Sequence, residues 1–160
     1  MSPDNQVPPT AMQVNSPEFS EGQTIPAKYT CRGQNISPPL NIYNVPPQAQ
    51  GVAIIMHDPD APVGDYTHWL VWDIPASTQT IAAGSVPVGA VQGINDNDDI
   101  GYMGPCPPNG TGTHRYIFEV YALGGPVSLE TGSNRAQLTQ AMGDKILASA
   151  TLTGVFAAEH

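Results

Sequence analysis

An unbroken apolar run at residues 52–56, Val-Ala-Ile-Ile-Met, constrains this chain most, because prolines at 59 and 62 close it off within six residues. Such a run fits a strand covered on both faces, although periodicity alone does not separate it from a short buried helix. The prolines decide for strand and then loop, since each removes a backbone donor and restricts the residue before it. A second apolar run starts at Trp69 and is stopped by Pro75. Alternation along it predicts His68, Leu70, Trp72 and Ile74 on one face. Between the runs lie His57-Asp58-Pro59-Asp60-Ala61-Pro62-Val63-Gly64-Asp65-Tyr66-Thr67-His68, a loop crowded with carboxylates, prolines and imidazole and the first candidate for a site.

The rest of the chain is punctuated in the same way. Its 160 residues hold 17 prolines and 16 glycines but only 12% charged residues, which points to short strands and many turns. Residues 1–11 read as a flexible N-terminal arm and 12–160 as a single domain, long enough to bury roughly two thirds of its unfolded surface. Short strands are predicted at 12–14, 18–19 and 40–45, with an extended piece at 25–29 and a final strand at 150–156. The third clear strand covers 115–123, and His114, Tyr116, Phe118, Val120 and Ala122 share a face. One helix is predicted from Leu138, Ala141, Met142, Lys145, Ile146 and Ser149, capped by Ser133 or Asn134; Gly143 weakens it by about 1 kcal/mol. Residues 76–112 show no long element.

Charge excludes several classes of partner. The net charge is −9, and Lys28, Arg32, Arg115, Arg135 and Lys145 are spread along the chain. Nucleic acid and anionic membrane surfaces both require clustered cations. No apolar stretch is long enough for a transmembrane helix, and the N-terminus lacks the basic and apolar regions of a signal peptide. The chain is expected to be soluble, cytoplasmic or exported with its leader absent. Cys31 and Cys106 fit either one bridge or two thiols; a bridge closing so long a loop is worth about 4 kcal/mol on the chain-entropy model.

Chemistry concentrates at one end of the two central strands. A hairpin would bring Asp58, Asp60 and His68 together, and His114 opens the next strong strand. Before it runs Gly104-Pro105-Cys106-Pro107-Pro108-Asn109-Gly110-Thr111-Gly112-Thr113-His114-Arg115-Tyr116, where prolines stiffen the backbone and glycines let it turn tightly. Plainer roles compete: structural histidines, turn-capping aspartates, and a solvated acidic loop at 96–99. That loop fails the EF-hand pattern because Ile100 falls at a ligand position.

Asp-Pro-Asp-Ala-Pro at 58–62, His68-Trp-Leu-Val, and Gly-Pro-Cys-Pro-Pro followed by Gly-Thr-Gly-Thr-His-Arg-Tyr together resemble the phosphatidylethanolamine-binding protein family in its short bacterial or archaeal form. The resemblance runs from about Phe19 to Phe156, through Lys28-Tyr29-Thr30-Cys31, Asn35-Ile36-Ser37-Pro38 and Ala90-Val91-Gln92-Gly93. It implies a mainly β fold, an antiparallel β-sandwich of Greek-key type with one or two short helices. It also implies a pocket for phosphate-like or carboxylate anions, formed by Asp58, Asp60, Pro62, His68, Pro108, His114 and Tyr116, and it favours a structural bridge between Cys31 and Cys106. The family's longer members border this pocket with a C-terminal helix, for which this chain leaves no room.

Three functional classes follow. The first is a non-catalytic receptor for a small anionic or zwitterionic ligand such as a phosphoethanolamine-type head group, needing no cofactor. Another is an inhibitor of a protease or kinase acting through loops round the pocket, as the family resemblance implies. The third is a phosphoester hydrolase with Asp58, His68 and His114 on a metal and Asp60 as base, a spacing that matches no recognised ligand signature. Whether the chain forms a homodimer is left open.

Overall fold

The computed structural model describes residues 11–158, so all but the last residue of the expected arm lies outside the described residues. In chain order the strands are β1 (Gln13–Asn15), β2 (Leu40–Tyr43), β3 (Gly51–Asp58), β4 (Tyr66–Ile74), β5 (Thr80–Ile81), β6 (Val91–Gln92), β7 (Thr113–Leu123) and β8 (Ile146–Ala157), with one α-helix, α1 (Arg135–Met142), between the last two. They form two antiparallel sheets, ordered β1-β2-β5 and β6-β4-β3-β7-β8. The architecture is therefore mainly β, as expected.

Most of the core lies between the sheets. Val14, Leu40, Ile42 and Ile81 of the small sheet pack in one cluster with Val52, Ile54, Met56, Phe118 and Val120 of the large one. The opposite face of the large sheet carries Ala53, Ile55, Leu70 and Trp72, packed with Leu138 and Met142 of α1. Thus β3 is buried on both faces, which is why its sequence is continuously apolar.

On β4 the structure corrects the reading of faces. Leu70 and Trp72 face the helix, whereas Ile74 belongs to the cluster between the sheets. The register of β3 on β4 slips twice, between Val52 and Ile54 and between Met56 and His57. Each slip inserts a residue into β4 and reverses the alternation beyond it. At the first, Asp73 takes φ +56°. The second turns His68 away from the Leu70 face and towards Tyr116, its ring centroid 5.3 Å from that of the tyrosine. By contrast, β7 keeps strict alternation, and Tyr116, Phe118, Val120 and Ala122 all enter the core between the sheets.

Other boundaries moved for local reasons. Asn134 caps α1 in a reciprocal box with Gln137, its side chain accepting from the Gln137 N–H (2.9 Å) while Gln137 Oε1 accepts from the Asn134 N–H (2.8 Å). The predicted helix ran on to Ser149, but Gly143 at φ +36° ends it and β8 begins at Ile146. Residues 27–29 form a 3-10 turn instead of an extended piece, and 18–19 form no strand, although Phe19 is buried. Within 76–112 the two-residue strands β5 and β6 are too short to leave a periodic signal. Among the described residues, no helix is long and apolar enough to cross a membrane.

Candidate functional site

Where β3 ends and β4 and β7 begin, their side chains surround a cavity of about 260 Å³. Asp58, Pro62, His68, Pro108, His114 and Tyr116 all line it. Asp58 and His114 are buried and hold each other, Nδ1 of the histidine lying 2.7 Å from Oδ2 of the aspartate. The other carboxylate oxygen accepts from the Asp60 N–H at 2.7 Å. The Thr111 hydroxyl donates to the Pro108 carbonyl (2.6 Å), and its oxygen lies 2.9 Å from His114 Nε2. Both ring nitrogens of His114 are therefore spent on the protein.

His68 is held differently. Nδ1 donates to the Met103 carbonyl at 2.5 Å, and Nε2 has no partner among the described residues. Burial pushes its pKa down, against the smaller upward pull of the Met103 carbonyl and of Asp58. The resting ring is thus neutral, protonated on Nδ1, with a bare Nε2. Tyr116 packs edge-on to His68 and stacks near His114, 6.3 Å between centroids. Burial first, then the charges of Asp58 and Asp60, raise its hydroxyl pKa, so Tyr116 keeps its proton to donate.

Asp60 is not in the cavity lining. Its carboxylate accepts from the Arg115 backbone N–H (2.9 Å), Nε (2.9 Å) and Nη2 (2.8 Å). Arg115 accordingly holds the Asp60 pKa at about 2. Its structural effect is to tie the 59–65 loop to the start of β7. The rim contains Cys106 together with residues that the sequence reading missed: Ala61, Val63, Tyr66, Met103 and Pro107. Tyr66, with its ring 4.9 Å from His68, was recoverable from the two-residue spacing. Burial and then Asp96, Asp98 and Asp99 raise the Tyr66 pKa, so the acidic loop lies against this rim. Asp96 also accepts from the Thr67 N–H at 2.8 Å, which gives one member of the run a structural task.

The wall formed by 103–108 is fastened from behind. Cys31 and Cys106 form a disulfide across a separation of 75 residues. Next to it the Cys31 N–H donates to the Pro105 carbonyl (3.1 Å), and the Gly104 N–H donates to Asn35 Oδ1 (2.8 Å). A Cβ at Gly104 would collide with the Tyr29 carbonyl and stand 2.5 Å from Asn35 Oδ1, so only glycine fits this close crossing.

A second polar cluster, absent from the sequence reading, occupies the helix side of the sheet. His57 Nδ1 lies 2.7 Å from Asp65 and Nε2 lies 3.0 Å from Glu119. Arg135 bonds Asp65 at 3.0 Å, and the Tyr121 hydroxyl donates to Glu119 at 2.8 Å. Burial opposes charging of His57, but its hydrogen bonds to Glu119 and Asp65 outweigh it and raise the pKa. His57 thereby clamps the base of the loop whose tip forms the cavity rim.

Asp58, His68 and His114 do not present a metal-ligand set, since Asp58 and His114 satisfy one another and Asp60 is turned to Arg115. No group of three or more His, Cys, Asp or Glu among the described residues is arranged to hold an ion.

The domain thus carries, at one end of its large antiparallel sheet, a disulfide-backed cavity lined by His, Asp and Tyr. A family model described as phosphatidylethanolamine-binding protein matches residues 15–157, and the chain belongs to that family. A UPF0098 protein of Methanothermobacter thermautotrophicus is 41% identical over 150 residues, which cover 91% of this chain and 98% of the relative. The crystal structure of a phosphatidylethanolamine-binding protein homolog from Chlamydia trachomatis superposes with a TM-score of 0.89 at 41% identity, covering 94% of this chain and 99% of that one. The carboxypeptidase Y inhibitor, solved with its cognate proteinase, shares the fold at a TM-score of 0.61 and 16% identity, over 93% of this chain and 84% of the inhibitor.

Proposed function

We propose that this protein is a non-catalytic receptor for a small anionic or zwitterionic ligand of the phosphoethanolamine type, held in the cavity beneath Pro62 and Pro108. The observation that carries the reading is His68, a buried imidazole whose Nε2 is uncommitted and whose ring lies edge-on to that of Tyr116 in the same cavity lining, 5.3 Å between centroids. Protonated at Nε2, His68 would give a phosphate or carboxylate oxygen one charged donor, and Tyr116 would give a neutral one. The carboxylates of 96–99 near Tyr66 suit an ammonium at the mouth rather than a second anion, which favours a zwitterion over a dianion. Volume agrees, as about 260 Å³ admits a head group but not a lipid tail. Catalysis is disfavoured by the spending of Asp58, Asp60 and His114 on protein partners, which leaves no base near a nucleophile.

A second reading, control of another protein through the rim, rests on Val63, an apolar side chain 85% exposed at the cavity edge. A stoichiometric inhibition assay against a panel of carboxypeptidases, serine proteases and kinases addresses it directly, and no loss of activity at excess protein removes it.

For the receptor, phosphate and phosphoethanolamine are titrated while the imidazole signals of His68 and His114 are followed by NMR. Saturable shifts of both at millimolar ligand are expected, larger for phosphoethanolamine. Unmoved signals would sink the proposal.

A further inference from the structure

A cavity of about 270 Å³ lies on the other side of the 102–104 segment from the His68 site, between the 35–37 loop, the 84–86 turn and residues 100–102. Its polar groups can be counted one by one. Tyr102 gives its hydroxyl proton to the Tyr29 carbonyl (2.6 Å), and Ser85 gives its own to Ala82 (3.1 Å). Asn35 Oδ1 receives the Gly104 N–H, and Gln92 Oε1 receives the Trp69 indole N–H at 2.8 Å. With both amide oxygens anchored, the orientation of each amide is fixed, and its NH₂ group is the end left over. Neither Asn35 Nδ2 nor Gln92 Nε2 meets a partner among the described residues.

Ser37 supplies the independent observation. Only 4% of the residue is exposed, yet its hydroxyl makes no hydrogen bond to any described residue. A buried hydroxyl left unpaired is costly, and the described residues hold no fully enclosed side-chain N or O without a partner. The Ser37 oxygen is therefore open to the cavity that the residue lines.

What such a site takes follows from its charge and its donors. No Lys, Arg, His, Asp or Glu lines it, so neither an anion nor a cation finds a counter-charge there. The NH₂ groups of Asn35 and Gln92 and the Ser37 hydroxyl supply donors, and Ile36, Val86 and Ile100 supply an aliphatic wall. An uncharged group with carbonyl acceptors and small alkyl substituents is complementary to both. We propose that this cavity is a second ligand site, specific for a peptide-type amide. Its carbonyl oxygens would accept from Asn35 and Gln92, and Ser37 Oγ would receive an amide N–H. This site is distinct from the His68 cavity and stands whether or not that cavity binds an anion.

The test uses the full chain labelled with ¹⁵N and reads the side-chain NH₂ signals of Asn35 and Gln92. The probe is N-acetyl-alanine N′-methylamide, with sulfate and glucose as charged and polyol controls. Saturable movement of both NH₂ pairs at millimolar probe is expected, with His114 unmoved and neither control reproducing it. Ser37→Ala should weaken the response about fivefold, the loss of one hydrogen bond. Ile100→Asp, at a position 56% exposed and so safe for folding, should abolish it by setting a carboxylate against the carbonyls. Absence of saturable movement, an equal response to sulfate or glucose, or unchanged binding in both variants overturns the proposal.

Discussion

If the His68 cavity binds an anion, it must take up a proton as it does so. Free His68 is neutral because burial lowers its pKa below the ordinary 6.5, and its one proton is committed to the Met103 carbonyl. Bare Nε2 repels an anionic oxygen, whereas an anion seated there stabilises the imidazolium and raises the pKa of the complex. Between those two values binding is coupled to protonation, and affinity rises as pH falls. One proton per anion gives at most a tenfold gain per pH unit, about 1.4 kcal/mol. From pH 8 to pH 6.5 sulfate should therefore tighten by up to about 30-fold. Sulfate is the right probe because its own charge is constant over that range. Calorimetry in two buffers of different ionisation enthalpy should report an uptake close to one proton, and His68→Gln should flatten the profile. A wild-type affinity independent of pH, or a slope that survives His68→Gln, would refute the reasoning.

The clamp behind the rim makes a separate prediction about stability. The raised His57 pKa contributes stability that is complete below the ordinary 6.5 and lost as pH rises through the raised value; the Glu119 pKa, lowered chiefly by His57, contributes stability present above its ordinary 4.5 and lost as pH falls. Wild type should exceed His57→Gln by about 1–2 kcal/mol between those limits, allowing for the exposure of Asp65, and the margin should shrink as pH rises through the raised His57 value, as read by urea unfolding. His68 titrates with the opposite sign, so the difference between the two proteins, rather than the wild-type curve, is diagnostic. Arg115→Gln should return the Asp60 pKa from about 2 towards the ordinary 3.8, seen in the ¹³C carboxyl titration, while thermal stability hardly changes because the pair is largely exposed. Replacing Cys31 and Cys106 together by serine should cost about 4 kcal/mol in urea unfolding, and an unchanged midpoint would show that the bridge constrains little.

Legibility varied with how far each feature depended on its own segment. The run at 52–56 and the alternation of Tyr116, Phe118, Val120 and Ala122 were readable because β3 and β7 carry their burial in local pattern. The direction of His68 was not, because it depends on slips of β4 against β3 that leave no mark in β4 alone. Ile146 and Ser149 fitted a helical spacing, and only the backbone at Gly143 separates that helix from β8. The cavity lining brings together Asp58, His68, His114 and Tyr116, which their motifs had marked, while Asp60 lies outside it because Arg115, which nothing local links to it, holds its carboxylate. The His57 clamp joins residues 57, 65, 119 and 135, too scattered for any spacing rule.

A crystal of the protein grown with phosphoethanolamine tests the central claim most directly. The account predicts the phosphate within hydrogen-bond distance of His68 Nε2 and the Tyr116 hydroxyl, with the ammonium directed to the acidic rim near Tyr66. A head group bound elsewhere at saturating concentration, with His68 Nε2 left unliganded, would contradict it.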